Sequence, residues 1–387
     1  MGRHALIFGA SGIQGWAVTN QLLNGYPDPE AFENITALTH RPIQGRTLWP
    51  ETSKLRLVSG IDLQRDDLEQ QLVAQVTDIA TVTTVFFLAY TFNPDQDQEV
   101  ATNLKILSNA ITAVEALSEN FEFVVLATGT KAYGVHLIDE FPFRHQVPLT
   151  EELPSISEPH RSKLFYCAQT DWLAEHSRDK AWTYCELRPD VIVGFVPNGN
   201  AYCIAQLLAK FLALYREVNG KGAICPLPGT LGSWDCLSND SGQDTIARFA
   251  IHAALHPEQC GAGQAFNVAS HRTPLSWSER WPILCKFFDL KGAPPPAGEG
   301  FLASQFLADH RDEWAKLEAS HGLVGAEETR SVHMLGHGIL ACMKFDRQLS
   351  LERMHQAWAH GGKPEESTTE EIWWTAFRRF RDAKIIP

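Results

Sequence analysis

The sequence predicts an α/β protein built on a doubly wound parallel sheet, with a smaller, mostly helical lobe towards the C-terminus. Three observations carry this. Short apolar runs and helical patterns alternate from the start of the chain to Tyr133. The first run is followed at once by a glycine turn and a helix, Gly9-Ala-Ser-Gly-Ile-Gln-Gly15. After about residue 270 the pattern becomes tryptophan-rich and helical.

Taken in order, Ala5–Phe8 is a short apolar strand, and Val18, Leu22 and Leu23 mark the helix after the glycines. Glycines let the backbone turn tightly and approach a pyrophosphate, and the helix start offers free N–H groups. A strand-turn-helix unit of this kind is the dinucleotide-binding, Rossmann-type arrangement. Gly9, Ser11, Gly12 and Ile13 are the expected phosphate-side contacts. Ile35–Thr39 is the second strand, and His40 and Arg41 follow it with no acid beside them. An arginine at this place suits the 2′-phosphate of NADP, so the expected cofactor is NADPH. Leu55–Asp62 reads as strand three, with Asp62 placed near the adenine, and Thr84–Tyr90 as strand four, bringing Ala89 to the cofactor. The acidic run Asp95–Glu99 reads as a solvated helix start, leading into a helix over Val100–Leu117.

Phe123-Val-Val-Leu-Ala127 has no alternation and is expected to be covered on both faces. Its turn brings Thr128, Lys131 and Tyr133 to the carboxyl end of the sheet, where open α/β folds hold ligands. Gly134–His160 is loop-like, Leu164–Glu175 helical, and Trp182–Pro189 a sixth strand; Pro189 and Ile192 complete the expected cofactor contacts. A helix over Ala201–Val218, a loop at Gly229–Asp235, a helix over Asp244–Leu255 and a last strand at Gln264–Ala269 follow. The segment Gly292–Gly300 reads as a surface connector. The expected division is a cofactor domain over 1–195, completed by about 233–270, and a substrate lobe from 196–232 and 271–387.

The net charge of −13 argues against a nucleic-acid backbone as partner. No apolar stretch is long enough to span a membrane, and no targeting run precedes the first strand. Eight cysteines without a C-x-x-C pair fit reduced thiols, so the expected location is the cytoplasm. His333, His337 and His355 lack H-E-x-x-H spacing, so no metal is expected. There is also no G-x-S-x-G elbow to suggest a hydrolase.

Hydride chemistry needs a group that stabilises charge on the acceptor oxygen and a proton path. Short-chain dehydrogenases supply both with Y-x-x-x-K. Here the residue four after Tyr166 is Thr170, and four after Tyr133 is Leu137, so that pair is absent. The chain nevertheless resembles the progesterone 5β-reductase/iridoid synthase family, PRISE. The resemblance rests on the glycine turn, Thr128-Gly-Thr-Lys-Ala-Tyr133, Phe165-Tyr-Cys-Ala-Gln-Thr-Asp171, Arg188-Pro-Asp-Val-Ile-Val-Gly194, Trp234-Asp235, Ala265–Val268 and Lys384–Pro387, in family order. Cys167 and Thr170 depart from the second tyrosine and the glutamate of the family motif.

The resemblance implies that Tyr166 and Lys131 are the catalytic pair, the lysine having moved to the turn after the central strand. It implies NADPH-dependent reduction of an activated C=C bond in a small hydrophobic enone or enal, steroid- or terpenoid-like or another secondary metabolite. Gly129 stands where carbonyl reducers of the superfamily usually have serine. Tyr90, Tyr133, Tyr202 and Trp234 are the expected substrate-pocket residues. Competing readings are a carbonyl reductase or alcohol dehydrogenase, a non-catalytic NADP sensor, and a cofactor-retaining isomerase or cyclase. A homodimer is compatible with all of them.

Overall fold

The structure, a computed structural model, describes residues 2–43, 47–197, 202–298, 300–324 and 330–387. Seven strands form one parallel sheet: β1 (His4–Phe8), β2 (Asn34–Thr39), β3 (Leu55–Ser59), β4 (Thr84–Phe87), β5 (Phe123–Ala127), β6 (Thr183–Pro189) and β7 (Gln264–Val268). Their spatial order is β7-β6-β5-β4-β1-β2-β3. The direction of travel reverses between β1 and β4. Open α/β sheets leave a crevice at such a point, beyond the carboxyl ends of the strands.

The missing alternation in these strands has a simple cause. Leu6, Phe8, Val85, Phe87, Val124 and Leu126 pack with Leu72, Leu107 and Val114 of helices α2 (Leu68–Gln75) and α3 (Gln96–Leu117). Ala5, Ile7, Phe86, Phe123 and Val125 pack on the other face with Trp16 of α1 (Ile13–Leu23) and Phe249 of α6 (Gln243–Leu255); α4 (Phe165–His176) and α5 (Ile204–Asn219) come between these two helices in the chain. Both faces are covered, so both side-chain sets are apolar. His4 is one of the buried polar residues of the sheet. Its two ring nitrogens lie 2.9 Å from the hydroxyls of Thr81 and Thr36, which satisfy it in the core.

Several boundaries differ from the sequence reading. Strand three stops at Ser59 because Gly60 turns with φ 90°. Strand four stops pairing at Phe87, which leaves Leu88–Tyr90 to line the crevice. Helix α3 starts earlier than expected, because the Asp95 carboxylate accepts the N–H groups of Asp97 and Gln98 at 2.9 and 3.1 Å. The expected loop Gly229–Asp235 contains a short helix, Leu231–Trp234, and the connector after Gly292 opens with a strand, Lys291–Ala293, paired to Ile224–Pro226.

After residue 270 the chain is helical, with α7 (Trp277–Phe287), α8 (Ala303–Asp309), α9 (Arg311–His321), α10 (Arg330–His337), α11 (Glu352–Ala359) and α12 (Thr369–Asp382). Helices α7 and α12 begin with reciprocal capping boxes, Ser276–Glu279 and Thr368–Glu371. A buried carboxylate joins them. Asp240 accepts from Arg280 (2.9 Å), Thr369 (2.5 Å) and Trp373 (3.2 Å). Burial pushes this carboxyl up, but Arg280 and the hydrogen bonds of His271 and Thr369 outweigh it and hold it below the ordinary range. Among the described residues no helix is long and apolar enough to cross a membrane.

Candidate active site

The crevice between β1 and β4 opens into a cavity of about 900 Å³. Its floor at one end is the turn from β1 into α1. Gly9 has φ 84°, and a Cβ there would lie 2.6 Å from the Leu88 carbonyl oxygen. A Cβ on Gly15 would lie 2.2 Å from the Gly9 carbonyl oxygen. Only glycine permits this turn and this approach. Gly12 caps α1 with no side-chain hydrogen bond, so the first N–H groups of the helix are not taken up by a cap side chain. Such a cradle fits a dinucleotide pyrophosphate. Ser11 and Ile13 line it; His40, Arg41 and Asp62 line the same cavity past β2 and β3, and Ala89 lines it past β4.

At the other end the turn after β5 lines the cavity. Thr128 is fixed twice to β6: its N–H donates to the Leu187 carbonyl at 3.0 Å and its hydroxyl to Glu186 at 2.6 Å. Thr130 donates to Asp190 at 2.9 Å, and Asp190 in turn accepts from Arg347 at 3.2 Å. All three are buried. A short 3₁₀ turn, Thr130–Tyr133, then sends Lys131 into the cavity. Burial depresses its ammonium pKa, opposed by the Glu99 carboxylate.

Tyr166, at the head of α4, lines the cavity opposite. A Cβ built on Gly129 would stand 3.5 Å from the Tyr166 hydroxyl oxygen and 3.1 Å from the Pro189 carbonyl oxygen. The glycine at 129 therefore keeps any side chain out of the narrow gap between that hydroxyl and the Pro189 carbonyl. Burial pushes the phenol far above its ordinary range, with Tyr202, Glu186 and Glu99 adding to the effect. The group is a neutral donor at physiological pH. Pro189 and Ile192 complete this wall.

Tyr90 and Tyr202 also line the cavity, and their hydroxyl oxygens are 3.1 Å apart. The Tyr90 ring stacks on Phe165 at 5.1 Å, and its hydroxyl donates to Glu99. Two expected pocket residues lie elsewhere. Tyr133 is buried in the core behind the turn, because a 3₁₀ turn that points Lys131 forward directs Tyr133 to the sheet. Its hydroxyl donates to Asn267 on β7 at 2.7 Å, and the Arg188 guanidinium sits 5.3 Å from its ring centre. Trp234 does not line the cavity either; it packs half-buried against the main core from its short helix. The sequence reading missed Phe165 and the C-terminal wall, Leu335, Ile339 and Met343. It also left Glu99 in a solvated run; only the spacing Glu99–Asn103 on one helix face hinted otherwise, for Asn103 holds the backbone of Thr91 at 2.8 and 2.9 Å.

Residues 5–387 match the model of the PRISE-like Rossmann-fold domain. The chain belongs to this family. The PRISE-like chain is 34% identical to the short chain dehydrogenase ausT of Aspergillus calidoustus, over 99% of its own length and 94% of that protein's. It is 27% identical to the (S)-8-oxocitronellyl enol synthase ISY1 of Nepeta racemosa, over 92% and 86% of the two chains. Among solved structures, the Bordetella bronchiseptica enzyme WbmH in complex with NAD+ superposes with a TM-score of 0.60 at 15% identity, covering 98% of this chain and 99% of that one. The PRISE-like protein is thus an oxidoreductase of the short-chain dehydrogenase/reductase type. Thr170, where a lysine would complete Y-x-x-x-K, turns its hydroxyl back onto the Tyr166 carbonyl at 3.0 Å. Cys167 is buried beside it.

Proposed function

We propose that the protein uses NADPH to reduce an activated C=C bond of a small hydrophobic enone or enal, a secondary metabolite of steroid- or terpenoid-like size. The observation that carries this reading is the glycine at 129 beside the Tyr166 hydroxyl, which brings no second donor to the acceptor oxygen. Bound nicotinamide would supply the hydride. The glycine cradle, Thr128, Pro189 and Ile192 would hold the cofactor, with cofactor binding assigned to 1–195 and 233–270. The segments 196–232 and 271–387 are assigned to substrate; Tyr202, Leu335, Ile339 and Met343 are their contribution to the cavity wall. The Tyr166 hydroxyl donates to the acceptor oxygen, more strongly as that oxygen becomes an enolate. The half-buried Lys131 ammonium lowers the cost of that negative charge. The enol synthase name of one relative supports enolate chemistry, and the NAD+ complex of a structural neighbour supports a nicotinamide cofactor.

The test is NADPH consumption with a panel of cyclic enones, enals and simple ketones, with product analysis. Saturated carbonyl products from the enones, and their loss in Lys131→Ala, are expected. Alcohol products from the ketones alone would overturn the reading. Arg41→Ala tests the cofactor choice. A charge-assisted phosphate contact is worth about 1.5–3 kcal/mol, so KM for NADPH should rise by roughly 10–100-fold while KM for NADH stays put. Equal effects on both cofactors would remove Arg41 from the 2′-phosphate.

A further inference from the structure

His136 lines the same cavity and has no role in the reading above. It stands in the turn Val135–Glu140, one step beyond the Lys131 turn, with Gly134 at φ 82° between them. The backbone here is built into an unusual shape. Ile138, a β-branched residue, has φ 35°, and Arg144 holds its carbonyl oxygen at 2.6 Å. Nδ1 of His136 is buried and makes no hydrogen bond. An orphaned buried polar atom is destabilising unless a partner reaches it. The groups acting on the ring are Lys131 and His160, the latter set 2.9 Å from the Glu140 carboxylate. Burial first, then these two, hold the imidazole pKa down to about 4. The ring is neutral at physiological pH, with one N–H and one lone pair.

Reduction of a C=C bond leaves a proton still to be placed on Cα. Tyr166 cannot place it while it holds the enolate oxygen, which is two bonds away from that carbon. We propose that His136 is the proton donor to Cα, with Lys131 behind it; this rests on the reductase reading above. In the reacting complex the Lys131 ammonium would turn to the unpartnered Nδ1, and Nε2 would carry the hydrogen that faces the substrate. The Nε2–H bond breaks as the Cα–H bond forms and the enolate pair becomes the new bond. Nδ1 takes a proton from Lys131 in the same relay; Nδ1 then returns it to the amine as Nε2 takes one from solvent, which restores the starting tautomer. The depressed ammonium pKa of Lys131 favours that transfer. A neutral imidazole between a cation and a substrate is suited to this bucket-line role, since its two nitrogens exchange functions at no net change in ring charge.

The test uses the full-length protein, NADPH and an α-methyl cyclic enone in D2O. The wild-type protein is expected to give one configuration at Cα. His136→Ala and His136→Gln are expected to keep hydride delivery to one face of Cβ, slowed, but to release the enol and give a near-equal mixture at Cα. Glutamine keeps the volume and the hydrogen bonds but cannot relay a proton, so it serves should the alanine variant fold poorly. A single Cα configuration in His136→Gln overturns the proposal. Loss of facial control at Cβ as well would make His136 a shaping residue and overturn it too. Absence of hydride at Cβ in the wild-type product would overturn the reductase reading itself.

Discussion

Tyr166→Phe is expected to lower kcat for enone reduction by roughly 10²–10³-fold and to leave KM nearly unchanged. The phenol is a neutral donor that lines the same cavity as Lys131, and the bond it makes matters most when the acceptor oxygen carries charge. The phenylalanine ring keeps the edge contact with Phe165, whose centroid is 4.6 Å away, so the helix head should not move. Steady-state kinetics and a thermal midpoint measured together separate the two effects. A change in kcat below about threefold, with the fold intact, would take Tyr166 out of the chemistry.

Asp240→Ala is expected to destabilise the protein by about 3–5 kcal/mol, the usual cost of leaving one partner of a buried ion pair alone. Arg280 is 2% exposed and would keep its charge with no carboxylate to meet it. Thr369 and Trp373 lose their acceptor at the same time, so α12 is loosened from α7. Urea unfolding of the two proteins at neutral pH checks this. The pH dependence follows from the sign of the shift. A carboxyl depressed in the folded state contributes fully above the ordinary carboxylate range, about pH 4, and loses that contribution as pH falls further. The gap between wild type and variant should therefore narrow in acid. A gap independent of pH would mean that packing, not charge, sets the cost.

The sheet was legible because its physics is local. Glycines that must turn, and apolar runs covered on both faces, announce themselves in one dimension. So did one end of the cavity, which is lined by Gly9, His40, Arg41, Asp62 and Ala89 just past the strand ends. The other end depended on which way a short turn faces. Thr130–Tyr133 contains two candidates three residues or fewer apart, and one turn of 3₁₀ helix cannot aim both at the same space. Tyr133 went to the core, and no periodicity in the sequence says so. Glu99 was hidden for the opposite reason. It sits in a run of exposed charges, and only the stretch after β4 folding back over α3 brings Tyr90 to it. His136 carried no motif at all; its interest lies in an unfilled hydrogen bond, which exists only in three dimensions.

The link from Thr130 through Asp190 to Arg347 has a consequence for how the protein comes into being. A ribosome would complete every strand of the sheet long before it reached Arg347, and the nascent chain could already fold its glycine turn. Yet the loop bearing Lys131 would still lack the guanidinium that neutralises Asp190. The turn that carries Lys131 is thus set last, once the C-terminal segment has docked on Asp190.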